Sequence, residues 1–188
     1  MSNSQTILRQ NSLRARSSLS TKNREFASKI IAGKIARSPW FQRTEYVGCY
    51  LSTKTEVDTW PIIARAWAMK KRVFVPVIHQ GKQMRFQEIT MSTNLLVKQY
   101  GIQVPEEGEF VNPRMLDIVL TPVVAFDLQN NRIGMGGGYF DRTFTFLKHR
   151  ENWFSPKLIG LAFAKQEVAS IPPNPWDIPL FLTVTETQ

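Results

Sequence analysis

At 188 residues, with 43% apolar and 21% charged side chains, the chain has the size and composition of one globular domain and is too apolar to be disordered. No run approaches the roughly 20 consecutive apolar residues a membrane-spanning helix requires, and a single cysteine, Cys49, excludes a disulfide framework and a cysteine-based zinc site. The formal charge of +9 is lopsided: residues 1–44 hold nine Lys/Arg against Glu25 alone, whereas the remainder holds fifteen basic and fourteen acidic side chains.

The basic segment suits nucleic acid, a polyanionic small molecule, or a solvated helix face. Residues 1–24 carry Arg and Ser without any acid, the composition of a transit peptide, and equally that of a first helix of the fold. No apolar core of a secretory signal is present. With a lone cysteine, the expected location is the reducing cytoplasm.

In chain order, Ser4 or Thr6 opens a helix running to about Arg16. Ser20 is a good N-cap for a second helix, in which Phe26, Ile30, Ile31 and Ile35 recur at three- and four-residue steps, and Ser38-Pro39 ends it. The run Tyr46 to Leu51 predicts a buried strand. A third helix follows, capped by Asp58 or Thr59, with Pro61 in its first turn and Ile62, Ile63, Ala66 and Trp67 facing inward. Val73 to Val77 reads as a strand, and Met84 to Phe86 as a small one beyond the Gly81 turn. Leu95 to Gln99 fits neither period clearly. Pro105 to Pro113 reads as a loop. Strands are expected at 118–120 and 123–126, a glycine loop at 134–138, a helix from Tyr139 to Leu147, and late strands at 158–163 and 180–184. This alternation predicts an α/β fold, a three-layer α/β/α sandwich with a mainly parallel, Rossmann-like sheet, in a single domain spanning 1–188.

The stretch Asn131 to Arg142 carries the chemistry. Gly134, Gly136, Gly137 and Gly138 allow positive φ and close approach of another molecule, and a helix starting after them points unpaired N–H groups at it. Arg132 and Arg142 add positive charge on either side, and Asp141 can hold a cation that bridges phosphates. The set suits a nucleoside triphosphate with Mg²⁺; a flexible surface turn is the bland alternative. Neither the Walker loop nor the dinucleotide fingerprint fits: Gly33-Lys34 is followed by Ile35, and the third glycine of G-x-G-x-x-G falls one position early. His79 and His149 lie outside any motif and read as surface or loop residues. Cys49 reads as core, and Trp60, Trp67 and Phe126 as core or pocket wall.

These residues resemble the 5-formyltetrahydrofolate cyclo-ligase family, also called 5,10-methenyltetrahydrofolate synthetases. TPVVAFD followed by NRIGMGGGYFDRTF is similar to the family's P-G-x-x-F-D and R-x-G-x-G-K/G-G-Y-Y-D. Arg16 to Ser20 resembles its R-x-x-L-S, and Ser52 to Thr59 its S-x-x-x-E-v-D/E-T. Val73 to Val77, Tyr100 to Pro105 and Trp176 to Leu180 resemble V-x-x-P-V, Y-G-I-x-E-P and W-D-I-P-L. The matches run in order over nearly the whole chain. Three positions depart: Gly137 stands where the family often has Lys, Tyr139-Phe140 replaces Tyr-Tyr, and Arg9 and Arg14 are five apart where the family commonly spaces two cations by four.

The resemblance implies ATP-dependent closure of 5-formyltetrahydrofolate to 5,10-methenyltetrahydrofolate, with release of ADP and phosphate. Such chemistry needs cations and metal ligands more than nucleophiles. It implies ATP contacts from Arg9, Arg14, Arg132, Ile133, Gly134, Met135, Gly136, Gly137, Gly138, Tyr139 and Phe140, with Arg132, Tyr139 and Asp141 at the reacting centre. It implies folate contacts from Leu51, Glu56, Met135, Gly136, Gly137, Gly138 and Tyr139, and Mg²⁺ at Asp141 and Asp177. The structural alternatives are a turn for Asp177 and an acid favoured by a helix dipole for Glu56. Arg9 and Arg14 then make the first helix part of the catalytic domain. The implied partners are the two small-molecule substrates, with no nucleic acid or membrane, and the expected state is a monomer. A basic nucleic-acid-binding protein and a nucleotide-binding relative without folate turnover are the competing readings.

Overall fold

The computed structural model describes residues 3–79, 83–98, 101–149 and 155–188. The Gly81 turn, Gln99 and Tyr100 lie outside the described residues. Helix α1 spans Asn3–Ser17 and starts ahead of both Ser4 and Thr6. Helix α2 spans Thr21–Arg37; the Ser20 hydroxyl accepts from the Asn23 N–H at its start, and Ser38 ends it. Pro39 begins a further short helix, α3 (Pro39–Gln42), that the sequence did not announce. Ile31 and Ile35 are fully buried, but Phe26 is 66% exposed, so the inward stripe of α2 is Ala27, Ile31 and Ile35. The i, i+4 step from Phe26 to Ile30 tracks the edge of that stripe and not its centre.

Strand β1 (Tyr46–Cys49) is the middle of a seven-stranded sheet. Helix α4 (Trp60–Ala68) follows, with Pro61 in its first turn and Ile62, Ile63 and Ala66 buried, while Trp67 is half-buried with its indole N–H on the Ile89 carbonyl. Thr59 is its cap residue without a side-chain cap bond; Asp58 Oδ1 accepts from Trp60 N instead. Strand β2 (Arg72–Ile78) pairs parallel to β1, and β3 (Met84–Ile89) returns antiparallel beside it. The ambiguous 95–99 segment forms β4 (Leu95–Val97), a small hairpin with β5 (Gln103–Pro105). Within the expected loop, β6 (Phe110–Val111) adds a two-residue edge strand to β3; two residues carry too little pattern to be seen in advance.

Strand β7 (Ile118–Pro122) lies on the other side of β1, followed outward by β10 (Lys157–Leu161) and β11 (Leu182–Val184). Strands β11, β10, β7, β1 and β2 are mutually parallel; only β3 and β6 run against them. Helices α2 and α4 cover one face through Ile31, Ile35, Ile62 and Ile63. Phe144, Phe86, Leu116 and Val119 fill the other face. The expected three-layer, mainly parallel α/β architecture is therefore the observed one. Among the described residues, no helix is long and apolar enough to cross a membrane.

Gly48 shows how tightly β1 is enclosed: a Cβ there would lie 3.1 Å from both Phe86 and Val119. Cys49, next to it, is 1% exposed, and burial pushes its thiol up to about 12. At pH 8.5 the folded thiol is thus protonated and shielded, and the thiolate is the reactive species. Ellman's reagent is expected to leave native Cys49 unlabelled over a period in which the urea-unfolded chain labels completely; equal labelling rates would contradict its burial.

Candidate active site

The chain leaves β1 and β7, the sheet's central pair, in opposite lateral directions, β1 leading to β2 and β7 to β10. Such a reversal opens a crevice beyond the carboxyl ends of the strands. A cleft of about 310 Å³ lies there, lined by Tyr50 and Leu51 after β1, Pro76 and Ile78 of β2, and Pro122 and Val123 at the end of β7. The volume falls in the range of small-molecule sites.

One wall is the glycine loop, held by a hairpin of β8 (Ala125–Phe126) and β9 (Arg132–Ile133). Asp127, 1% exposed, ties that hairpin's turn. Its Oδ1 accepts from the N–H groups of Gln129 (3.0 Å) and Asn131 (2.9 Å), and its Oδ2 from Asn131 Nδ2 (3.0 Å) and the Ile171 N–H (2.8 Å). Buried Gln166 supports the preceding segment, donating to the carbonyls of Val123 (2.7 Å) and Val124 (2.9 Å). The loop Gly134 to Gly138 then lines the cleft throughout. Gly138 sits at φ 62° as the cap of α5 (Tyr139–Thr143), a conformation that side chains disfavour. A Cβ at Gly137 would lie 2.6 Å from the Tyr139 ring, so the missing side chain is what lets that ring fold over the loop.

Helix α5 has five residues and gives way to a 3₁₀ turn at Thr145–His149, where a single helix to Leu147 was expected. A helix that short contributes little macrodipole. Positive potential here comes instead from side chains. The Arg132 side chain is 6% exposed; its Nη2 meets Asp141 Oδ1 at 2.8 Å and its Nη1 donates to the Ile178 carbonyl. The Ile178 N–H also donates to Asp141 Oδ1, at 3.1 Å. Asp177, next in the chain to Ile178, accepts from Asn174 N (2.8 Å) and Nδ2 (3.1 Å) through Oδ2. Asp177 therefore both fixes a turn and faces the cleft. Arg142 is exposed, with its guanidinium 5.1 Å from the Tyr139 ring centre.

The adjoining wall is α1. Arg9 Nε donates to the Gly134 carbonyl at 2.8 Å, closing the helix onto the glycine loop. Gln5 and Arg16 line the cleft beside it. The sequence reading paired Arg9 with Arg14, and the structure separates them: Arg14 is exposed and is not among the lining residues. Five residues of helix turn a side chain about 140° away, whereas seven bring it back to within about 20°, so Arg16 shares the face of Arg9. That spacing was the signal available for Arg16. Glu56 lies across from it, 3.7 Å from Arg16 Nη1, with Oε2 held by Thr53 N and Oγ1 at 2.9 Å each. Glu56 precedes α4 by several residues and does not serve as its first-turn acid.

Leu51, Glu56, Arg132, Ile133, Met135, Tyr139, Phe140, Asp141 and Asp177 thus share one cleft with Arg9 and the loop glycines. Trp60 and Trp67 do not; they border a small groove beside Thr90. Phe126 is core, His79 is exposed against Phe110, and His149 ends the 3₁₀ turn.

Among the described residues no cluster of three or more His, Cys, Asp or Glu could cage a metal by itself. Asp141 Oδ2 and Asp177 Oδ1 accept no hydrogen bond from any described residue, and both carboxylates face the cleft. Two carboxylates with oxygens to spare fit Mg²⁺, which completes its octahedron with water and phosphate oxygens.

Comparison with known proteins places the chain among relatives by family and by fold. The model of the 5-formyltetrahydrofolate cyclo-ligase family matches residues 1–186. The 5-formyltetrahydrofolate cyclo-ligase of Haemophilus influenzae is 36% identical over 146 residues, covering 74% of this chain and 75% of that protein. That of Escherichia coli K12 is 34% identical over 148 residues, covering 76% and 78%. The NMR structure of Aquifex aeolicus 5,10-methenyltetrahydrofolate synthetase superposes with a TM-score of 0.84 at 30% identity, over 98% of this chain and 90% of that one.

Proposed function

The chain belongs to the 5-formyltetrahydrofolate cyclo-ligase family, and from that membership we propose that it closes 5-formyltetrahydrofolate to 5,10-methenyltetrahydrofolate with conversion of ATP to ADP and phosphate. The observation that carries the reading is the Arg9–Gly134 bond: it brings the N-terminal cation, the glycine loop, Asp141 and Asp177 around one cleft that has Glu56 on its far side.

The formyl group is an amide, a poor electrophile with a poor leaving group. In the proposed reaction its oxygen attacks the γ-phosphorus and ADP leaves. N10 then attacks the formyl carbon and loses its proton. The carbon–oxygen bond breaks, the former formyl oxygen departs within phosphate, and the N5–C–N10 bridge remains. Phosphoryl transfer of this kind depends on positioning and charge neutralisation.

Three arginines (Arg9, Arg16, Arg132) and three carboxylates (Glu56, Asp141, Asp177) line the cleft. Side chains alone therefore leave a triphosphate's charge uncompensated. Asp141 and Asp177 would hold Mg²⁺, which neutralises phosphate oxygens when bound. Arg132 keeps Asp141 oriented and adds its own charge beside the transferred group. Arg9 anchors α1 while offering its remaining N–H groups to phosphate. Gly134 to Gly138 admit the nucleotide close to the backbone, with Ile133 and Phe140 at the loop's two ends. Leu51 and Tyr139 flank the reacting end of the folate, and Glu56 meets its pterin.

Purified protein mixed with 5-formyltetrahydrofolate, Mg²⁺ and ATP in acidic buffer is expected to produce the methenyl absorbance band, dependent on ATP and abolished by chelator. No ATP-dependent rise would overturn the proposal.

A further inference from the structure

Within the cleft, Arg16 carries donors that the phosphate chemistry above does not use. Its side chain is 6% exposed, and its Nε and Nη1 are buried without any hydrogen-bond partner. Buried guanidinium donors are costly to leave unsatisfied. Glu56 does not relieve them: Nη1 to Oε1 is 3.7 Å, beyond hydrogen-bond reach. Glu56 has its own incomplete partner set. Thr53 occupies Oε2, while no described residue donates a hydrogen bond to Oε1. Donors and an acceptor thus stand side by side in the cleft, too far apart to satisfy each other and close enough for one planar group to bond both.

The group that completes such a pair offers an acceptor next to a donor along one edge, as a ring amide does. We infer that Arg16 and Glu56 together read the lactam edge of the reduced pterin: Arg16 donates to the C4 carbonyl oxygen, and Glu56 Oε1 accepts from the adjacent N3–H. The inference rests on the folate reading above and adds to it a specificity-determining residue on α1. Tyr50 closes the corner behind them, its hydroxyl donating to the Val57 carbonyl at 3.2 Å.

The test compares two ligands in calorimetric titrations with a non-hydrolysable ATP analogue present: 5-formyltetrahydrofolate, and the same compound with the 4-oxo group replaced by amino. The unaltered protein is expected to prefer the oxo ligand. Arg16→Met keeps the apolar stem and removes the donors. It should weaken the oxo ligand about tenfold or more, the worth of a hydrogen bond from a charged donor, while leaving the amino ligand unchanged or tighter. Arg16→Lys should restore part of the preference, and it carries the comparison if the methionine variant does not fold. Equal weakening of both ligands would mean that Arg16 merely holds Glu56 in place, and would overturn the inference alone. An unaltered protein indifferent between the ligands would do the same. If the unaltered protein binds neither ligand, the folate reading falls and this inference with it.

Discussion

Replacing Asp141 by asparagine is expected to lower kcat by on the order of 10²- to 10³-fold, the usual cost of removing a group that acts on charge developing in the transition state. Asparagine keeps an oxygen where the Ile178 N–H and Arg132 already bond to Oδ1. The rim of the cleft should therefore hold its shape, with a stability loss of at most about 2 kcal/mol. What disappears is the negative charge that would share a divalent cation with Asp177. The Mg²⁺ concentration at half-maximal rate should rise together with the fall in kcat. Turnover within threefold of the parent, with an unchanged Mg²⁺ titration, would remove Asp141 from the reacting centre.

Asp127→Ala is expected to damage stability severely, costing about 3–5 kcal/mol, because four donors lose one buried carboxylate acceptor at once. Three of the donors are backbone N–H groups, from Gln129, Asn131 and Ile171, and the fourth is the Asn131 side chain. Water cannot replace a carboxylate that is 1% exposed. Asp127→Asn should rescue little, since its amide nitrogen must face donors wherever it points. Urea unfolding gives the measurement, with a lowered midpoint at constant slope as the expected result. A shift equivalent to less than about 1 kcal/mol would show that the turn finds other partners. Folate turnover should fall as well, because the same hairpin carries Arg132 and leads into the glycine loop.

Asp127 also shows where legibility in the sequence stops. It stood inside a recognisable motif, yet its partner Ile171 lies 44 residues away, and no local pattern announces a bond of that length. The parallel strands were legible because burial on both faces makes runs such as Ile118 to Leu120 uniformly apolar. The edge strand β6 was not, since two half-exposed residues carry no period. Arg9 and the loop glycines could be named from motif chemistry. Arg14 and Arg16 could not be told apart until the helix fixed their azimuth. Gly137 looked like a position lacking a cation. In three dimensions it is the space into which the Tyr139 ring folds.

The tie between Arg9 and Gly134 joins residues 125 positions apart, which has a consequence for biogenesis. Helix α1 leaves the ribosome long before the hairpin it docks on has been translated. A polar 15-residue helix is marginal in isolation. The nascent chain therefore carries its basic arm without its docking surface, as a marginal helix, until the last third of the protein emerges and gives it a surface to close upon.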